Sequence, residues 1–254
     1  MNAKLLTLTA LSVFALAACG GGGSDSPVQT TQPTKQPNNT KPTTHVADGK
    51  LDVEYEIYRN GREIDDDKAE DKYPQNRLNV MNLDGRDLVI IPNKETGIVN
   101  RNANGVKGLV GGGDLSYARY GVLSFNDKKD YIFVQGIESQ ETKKWDMPNT
   151  NNVTYTGNAV AYRISNGELD KGTVEFTANF AAKNKNMSGS INLEKFGTLT
   201  YNNIKIDGND FEGGAGLRKI DGDFYGPKAA EMAGEFEAKD KGIIGVFGAK
   251  KQGK

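Results

Sequence analysis

The chain is poor in the side chains that build most catalytic and metal sites, with one cysteine and one histidine among 254 residues. A single cysteine excludes any disulfide bond within the chain. The same scarcity excludes the usual zinc sites, which need several nitrogen or sulfur ligands. Charge is balanced, at 32 Lys and Arg against 33 Asp and Glu, and lacks the positive surplus of a nucleic-acid binder.

The apolar run near the N-terminus is too short to cross a bilayer, which takes about 20 apolar residues. Lys4 supplies a positive start, an apolar core covers residues 5–15, and small residues follow. This pattern is typical of a secretory leader. We therefore expect residues 1–18 to be a signal peptide.

The end of this leader, Leu16-Ala17-Ala18-Cys19-Gly20, resembles a bacterial lipobox. The resemblance implies cleavage before Cys19 and lipidation of that residue. Several acyl chains anchor a protein effectively for good, since each buried methylene contributes about 0.8 kcal/mol. Because Gly20 replaces the aspartate that retains lipoproteins in the inner membrane, the outer membrane is favoured.

Residues 19–50 have the composition of a tether. They open on a glycine run, hold four of the eight prolines and contain almost nothing apolar. Such a segment cannot offset the entropy of ordering it, so we expect it to be disordered. The only histidine, His45, lies in this segment, and we interpret it as a linker residue rather than a ligand or a base.

From residue 51 onward, short runs alternate apolar and polar residues, with turn signals between them. Residues 174–180 and 199–206 show the alternation clearly. Strands at this regular spacing are typical of an antiparallel sandwich or barrel. The sequence therefore predicts an all-β fold, with a small antiparallel β handle over residues 51–112 and an eight-stranded antiparallel β-barrel over residues 113–254.

Three local features complete this prediction. Gly111-Gly112-Gly113 is interpreted as the junction between handle and barrel, and Pro227 as the start of one short helical turn over residues 227–232. Gly213-Gly214-Ala215-Gly216 is interpreted as a turn rather than a phosphate cradle, because no helical pattern follows it.

The sequence carries no recognisable catalytic signature. It lacks Gly-x-Ser-x-Gly, Ser-x-x-Lys, His-Glu-x-x-His and the full P-loop motif, in which Gly-x-x-x-x-Gly-Lys is followed by Ser or Thr. The acidic run over residues 65–71 lacks the glycine and the spacing of an EF-hand loop. We therefore expect no enzyme activity, no metal site and no cofactor.

Four segments resemble one family in the expected order. Residues 220–236 and 245–250 are similar to the penultimate hairpin and the last strand of the transferrin-binding protein B family of surface lipoproteins. Residues 117–122 resemble the family's first barrel strand, and residues 147–159 the entry to another. The length fits one handle-plus-barrel lobe, as in the haemoglobin- and haem-capture lipoproteins and factor H-binding protein.

This resemblance implies a lipid-anchored protein of the outer membrane that faces the cell exterior and captures a host protein through loops. The captured molecule would be an iron- or haem-carrying protein such as haemoglobin, or a complement regulator, and the capture would serve nutrient acquisition or immune evasion. The resemblance also implies an outer-membrane lipoprotein translocon as a partner. Candidate contact residues are Tyr73, Arg77, Arg101 and Trp145.

Two alternatives to protein capture stay open. One is a barrel that binds haem or another small ligand, in which one of the ten tyrosines replaces the axial histidine. The other is a structural lipoprotein of the envelope.

Overall fold

A computed structural model describes residues 51–59, 61–64, 77–83, 86–92, 95–125, 129–137 and 146–253. The predicted signal peptide and tether, with Cys19 and His45, lie outside these residues. The described part contains β-strands and one short 3₁₀ turn at Lys239–Lys241, without an α-helix. No helix in that part has the length and hydropathy that a membrane crossing requires. The predicted all-β class is confirmed.

The first eight strands are β1 (Leu51–Arg59), β2 (Arg62–Glu63), β3 (Val80–Leu83), β4 (Arg86–Val89), β5 (Val99–Ala103), β6 (Val106–Gly111), β7 (Ala118–Phe125) and β8 (Lys129–Ile137). The next eight are β9 (Val153–Arg163), β10 (Glu168–Asn179), β11 (Asn186–Leu193), β12 (Gly197–Asp207), β13 (Asp210–Ala215), β14 (Arg218–Tyr225), β15 (Glu231–Ala238) and β16 (Ile243–Lys251).

Strands β9 to β16 form a closed antiparallel barrel, in which β16 returns to pair with β9. Alternate side chains point inward and fill the interior. Aromatic rings occupy its centre with centroids 5.3–6.1 Å apart, which is the range of favourable ring contacts. These rings belong to Phe176, Phe180, Phe211, Phe224 and Phe247. The predicted eight-stranded barrel is confirmed.

The handle consists of a six-stranded sheet, in the order β2-β1-β8-β7-β6-β5, and the separate β3–β4 hairpin. Side chains of the central strands alternate between two cores. Tyr120 and Val122 point towards the outer wall of the barrel, whereas Leu123 and Phe133 point towards the hairpin. The six-stranded sheet is therefore buried on both faces and forms the middle layer of three.

The structure moves the predicted boundary between handle and barrel. Residues 117–122 contribute to β7, which pairs with β6 and β8 in the handle sheet rather than with a barrel strand. The barrel strands span Val153–Lys251, so the predicted start at residue 113 is wrong. Burial on both faces explains the error, because β7 is buried along almost its whole length and therefore resembles a barrel strand as much as a handle strand.

Two local predictions are also wrong. Gly213 to Ala215 belong to strand β13, and only Gly216 lies in the following turn. The segment after Pro227 is a turn without helix, since Lys228 and Ala229 adopt positive φ of 55° and 51°. The glycines at 213–216 suggested a turn where a strand forms, and Pro227 suggested the start of a helix where a turn forms.

The handle docks on the barrel through a mixed apolar and polar contact. Tyr120 is fully buried between the two, and the buried Glu231 accepts hydrogen bonds from the N–H groups of Ser116 (2.6 Å) and Tyr117 (2.9 Å). Close approach depends on Gly248 of β16, where a Cβ would lie 2.4 Å from the Tyr120 ring. The absence of a side chain at this position lets the ring lie against the barrel wall.

Replacing Gly248 by Ala should therefore destabilise the protein by about 1–3 kcal/mol, the usual cost of overpacking a rigid contact. The midpoint of urea unfolding measures the effect. Gly253→Ala is the matched control, because a Cβ there meets open space. Equal midpoints for the two variants would show that the Tyr120 contact does not limit the approach.

Glu235 of β15 brings a carboxyl group into the edge of this contact. Its Oε1 is shielded from solvent and accepts no hydrogen bond from the described residues. Burial raises the pKa of Glu235 well above its ordinary range, and the negative charges of Glu56, Asp221 and Glu54 raise it further. The folded state therefore binds a proton at Glu235 more readily than the unfolded state does.

Because its pKa is raised in the folded state, the charged Glu235 carboxyl group lowers the free energy of unfolding at high pH. This destabilisation decreases as the pH falls through the folded pKa and the group becomes protonated. Glu235→Gln should be more stable than the unchanged protein at about pH 8 and should lose that advantage towards about pH 5. Urea unfolding at both pH values measures the difference, and each unit of pKa shift corresponds to about 1.4 kcal/mol. A pH-independent difference would contradict the assignment.

Candidate functional site

The outer handle face is the side of the six-stranded sheet that points away from the barrel, together with the β3–β4 hairpin that covers it. Two of the predicted contact residues lie here. Arg77 stands at the base of the hairpin, and Arg101 lies on the edge strand β5. Tyr73 and Trp145 lie outside the described residues.

Strand register places Arg101 on the outer handle face. Val99 and Arg101 pair with Val110 and Gly108 of β6. Directly paired residues point to the same face of a sheet, and Val110 packs in the core beneath the hairpin. Arg77 and Arg101 therefore share one side of the handle, which the sequence alone did not reveal.

A buried polar pair fixes the hairpin to the sheet. Arg119 and Gln135 are cross-strand neighbours on β7 and β8. Arg119 Nε donates to Asn79 Oδ1 (2.7 Å), and Gln135 Nε2 donates to the carbonyl oxygen of Leu78 (2.6 Å). Burial lowers the pKa of Arg119 to about 10, although the negative charge of Glu231 opposes this shift.

This pair makes the outer handle face a positioned platform rather than a free loop. This role could not be predicted from the sequence, because a polar residue within a strand usually indicates a solvent-facing position. The available signal was that Arg119 and Gln135 each lie beside apolar runs of their strands.

The hairpin surface combines cationic and apolar groups. The Arg77 side chain is 58% exposed and pairs with Asp87. Val89 is 53% exposed, and the Arg86 guanidinium lies over the Phe125 ring, 5.9 Å from its centroid. An exposed ion pair contributes little to stability, so Arg77 is available to a partner. Arginine beside exposed apolar surface is typical of protein–protein contacts.

A second exposed apolar residue marks one end of the barrel. Leu217, at the tip of the β13–β14 turn, is 56% exposed. The adjacent Arg218 pairs with Asp240 at 2.9 Å across the end of the barrel. Leu217 and Val89 are the large apolar side chains that the described residues leave exposed. Sequence reasoning singled out neither, since an isolated apolar residue in a turn carries no pattern.

The interior of the barrel is less suited than the outer surface to bind a ligand such as haem. Its tyrosines form hydrogen bonds within the fold: the hydroxyl of Tyr155 donates to the carbonyl oxygen of Ala229 (2.7 Å), and that of Tyr201 to the carbonyl oxygen of Glu237 (3.4 Å). Burial raises the pKa of both tyrosines, which disfavours the phenolate that an axial haem ligand would need. Among the described residues, no group of three or more His, Cys, Asp or Glu side chains is placed to hold a metal ion.

Comparison with known proteins agrees with this architecture. Residues 147–251 match the family described as C-lobe and N-lobe beta barrels of Tf-binding protein B. Transferrin-binding protein B of Haemophilus influenzae is 29% identical over 170 residues, which cover 50% of this chain and 26% of that protein. The chain thus spans about a quarter of the length of this relative.

Two solved structures share the fold across handle and barrel. Transferrin-binding protein B from serogroup B Neisseria meningitidis superposes with a TM-score of 0.55 at 25% identity, over 79% of this chain and 43% of that one. HpuA from Kingella denitrificans, solved in complex with human haemoglobin, superposes with a TM-score of 0.51 at 12% identity, over 80% of this chain and 84% of that one.

The family match over the barrel and the structural similarity over handle and barrel both indicate a fold of the transferrin-binding protein B type. Members of this family are binding proteins, which confirms the prediction that the chain is not an enzyme. The chain is similar to the transferrin-binding protein B family, and its residues 147–251 match the barrel of that family.

Proposed function

We propose that the protein captures a host protein by stoichiometric binding at the cell surface. The observation that carries this proposal is the filled barrel, whose interior rings contact one another at 5.3–6.1 Å. Because side chains occupy the interior, recognition falls to the outside of the molecule. The outer handle face, with Arg77, Val89 and Arg101, is the contact surface that we assign to it.

The nature of the relatives supports a protein as the ligand. One relative is named for transferrin, and HpuA has been solved in complex with human haemoglobin. For this chain the proposed partner is an iron- or haem-carrying protein or a complement regulator, acquired for nutrition or for immune evasion. Direct haem binding is the weaker alternative, because the described tyrosines of the barrel are buried and hydrogen-bonded.

The binding proposal predicts that loss of the exposed groups on the outer handle face weakens capture. Arg77→Ser combined with Val89→Ser should reduce affinity about tenfold or more, since a central arginine with apolar support contributes about 2 kcal/mol at many interfaces. Biolayer interferometry against human haemoglobin, transferrin and complement regulators measures this affinity. Arg101→Ser, measured in the same way, shows whether the surface extends to edge strand β5, in which case its affinity should also fall.

Lys205→Ser is the matched control, because its side chain is 72% exposed and pairs locally with Asp207 on the barrel. Weaker binding by the handle variants, with unchanged binding by the control, would support the assigned surface. If all variants bound equally well, the outer handle face would be excluded. If the folded protein bound none of these partners, the capture proposal would fail in favour of a small ligand or a structural role in the envelope.

We also propose that the protein is anchored to the outer membrane through lipid on Cys19, with a dedicated translocon bringing it to the exterior. The expected result of Cys19→Ser is loss of incorporated palmitate and release of the protein from the membrane fraction. Metabolic labelling, fractionation and protease treatment of intact cells measure anchoring and orientation together. Unchanged labelling of the variant would refute lipidation at this residue.

A further inference from the structure

An acidic junction lies where handle strand β1 meets the outer barrel wall. Glu54 and Glu56 of β1 pair with Val134 and Ile132, whose side chains pack against the barrel. These two glutamates therefore face the barrel as well. The junction consists of Glu54, Glu56, Asp221 and Glu235.

The other wall of the junction comes from the barrel. Asp221 of β14 pairs with Glu235 of β15, which pairs in turn with Val246 of β16. Val246 is buried against the handle, so this whole row of side chains points towards the handle. Carboxyl groups from two facing surfaces thus approach one another, and burial together with neighbouring negative charge raises the pKa of Glu56, Asp221 and Glu235.

The nearby lysines do not neutralise the Glu235 carboxyl group. Lys239 pairs with Glu237 at 3.3 Å, and Lys219 lies opposite Glu237 and acts on Asp221. Neither lysine donates to Glu235 Oε1, which accepts no hydrogen bond from the described residues although it is shielded from solvent. A buried acceptor without a donor destabilises the folded state, and a ligand that supplies the donor would remove that cost.

The junction has an open side. Glu54 and Asp221 are exposed, Glu56 and Glu235 are half-buried, and the Oε1 atom of Glu235 is shielded from solvent. The acidic groups therefore extend from solvent inward to the Glu235 carboxyl group. We expect an elongated cation to approach along this row, with its charged end towards Glu235.

The arrangement selects an organic cation over a metal ion. Within the described residues, the carboxyl groups are not placed to coordinate one ion. A guanidinium group has five N–H donors in a planar fork, and an ammonium group has three, so either satisfies acceptors that stand apart on two walls. Arginine and lysine side chains carry such groups at the end of a long apolar stem.

We propose that the acidic junction binds an arginine or lysine side chain of a partner polypeptide, with Glu235 as its deepest acceptor. The biological partner is the captured protein, so this identification rests on the proposed function. The chemistry of the junction does not depend on that function and is testable by itself.

Titration calorimetry of the full chain with a tetra-arginine peptide tests the proposal, with a tetra-glutamate peptide as the ligand control. Glu235→Gln should weaken tetra-arginine binding about tenfold, the loss expected for one charge-assisted hydrogen bond. Asp221→Asn should weaken it less, because Asp221 is exposed. Glu175→Gln is the matched control, since it removes the same charge from an exposed position on β10, away from the junction.

Selective loss of binding in Glu235→Gln would support the site. Equal losses in Glu235→Gln and Glu175→Gln would overturn it, because diffuse surface charge would then explain the binding, and so would absence of binding to the unchanged protein. The same variants are then tested against the host proteins. Peptide binding without any host-protein binding would refute the capture proposal alone and leave the cationic site standing.

Discussion

The docking of the handle sheet on the outer wall of the barrel is the contact on which the other features of the molecule depend. Sheets normally stack about 10 Å apart with interdigitated side chains. Here Tyr120 fills the space opposite Gly248, and the Tyr225 ring lies against Gly136, where a Cβ would come within 2.2 Å. Each surface thus contributes a ring that lies against a glycine of the other surface, which allows the two to approach closely. The backbone bonds to Glu231 add a fixed register to this apolar contact.

Burial of one handle face by the barrel determines what the opposite face can do. With β7 and β8 held against the barrel, their other side chains build a second core under the β3–β4 hairpin. The hairpin is only two strands wide, and an isolated hairpin of that size is marginally stable in water. Its position therefore depends on Arg119, which donates to the Asn79 side chain, and on Gln135, which donates to the backbone carbonyl groups of Leu78 and Val80. The outer handle face therefore lies on two packed layers that connect it to the barrel.

The sequence predicted the barrel well and the handle poorly, for one physical reason. Barrel strands such as β10 have one dry face and one wet face, so they alternate and are recognisable from their pattern. Strand β7 is dry on both faces, so its apolar run contains no information about which sheet it joins. The glycines of β13 obscured a strand, because backbone pairing does not need the side chains on which pattern recognition relies.

The candidate site was predictable only in part, because it depends on sheet register. Arg77 and Arg101 were predicted as contact residues on handle loops; the structure places Arg77 at the base of the hairpin and Arg101 on strand β5, both on the outer handle face. That they share this face follows from the pairing of β5 with β6, which brings together residues far apart in the chain. Val89, Leu217 and Glu235 were not chosen. Each looks ordinary in sequence and is distinguished only by its exposure or burial in the folded chain.

Glu235 shows why such a residue needs an explanation beyond stability. A buried carboxyl group beside other acids opposes folding unless it is protonated or paired. Val246, its neighbour on β16, packs in the apolar contact with the handle, and an apolar residue at 235 would extend this contact without the electrostatic cost. Natural sequences depart from local consistency mainly at functional sites. The acid at this position is therefore better understood as an acceptor that awaits a cation than as part of the scaffold, and the cost that it imposes on the free protein becomes binding energy when the cation arrives.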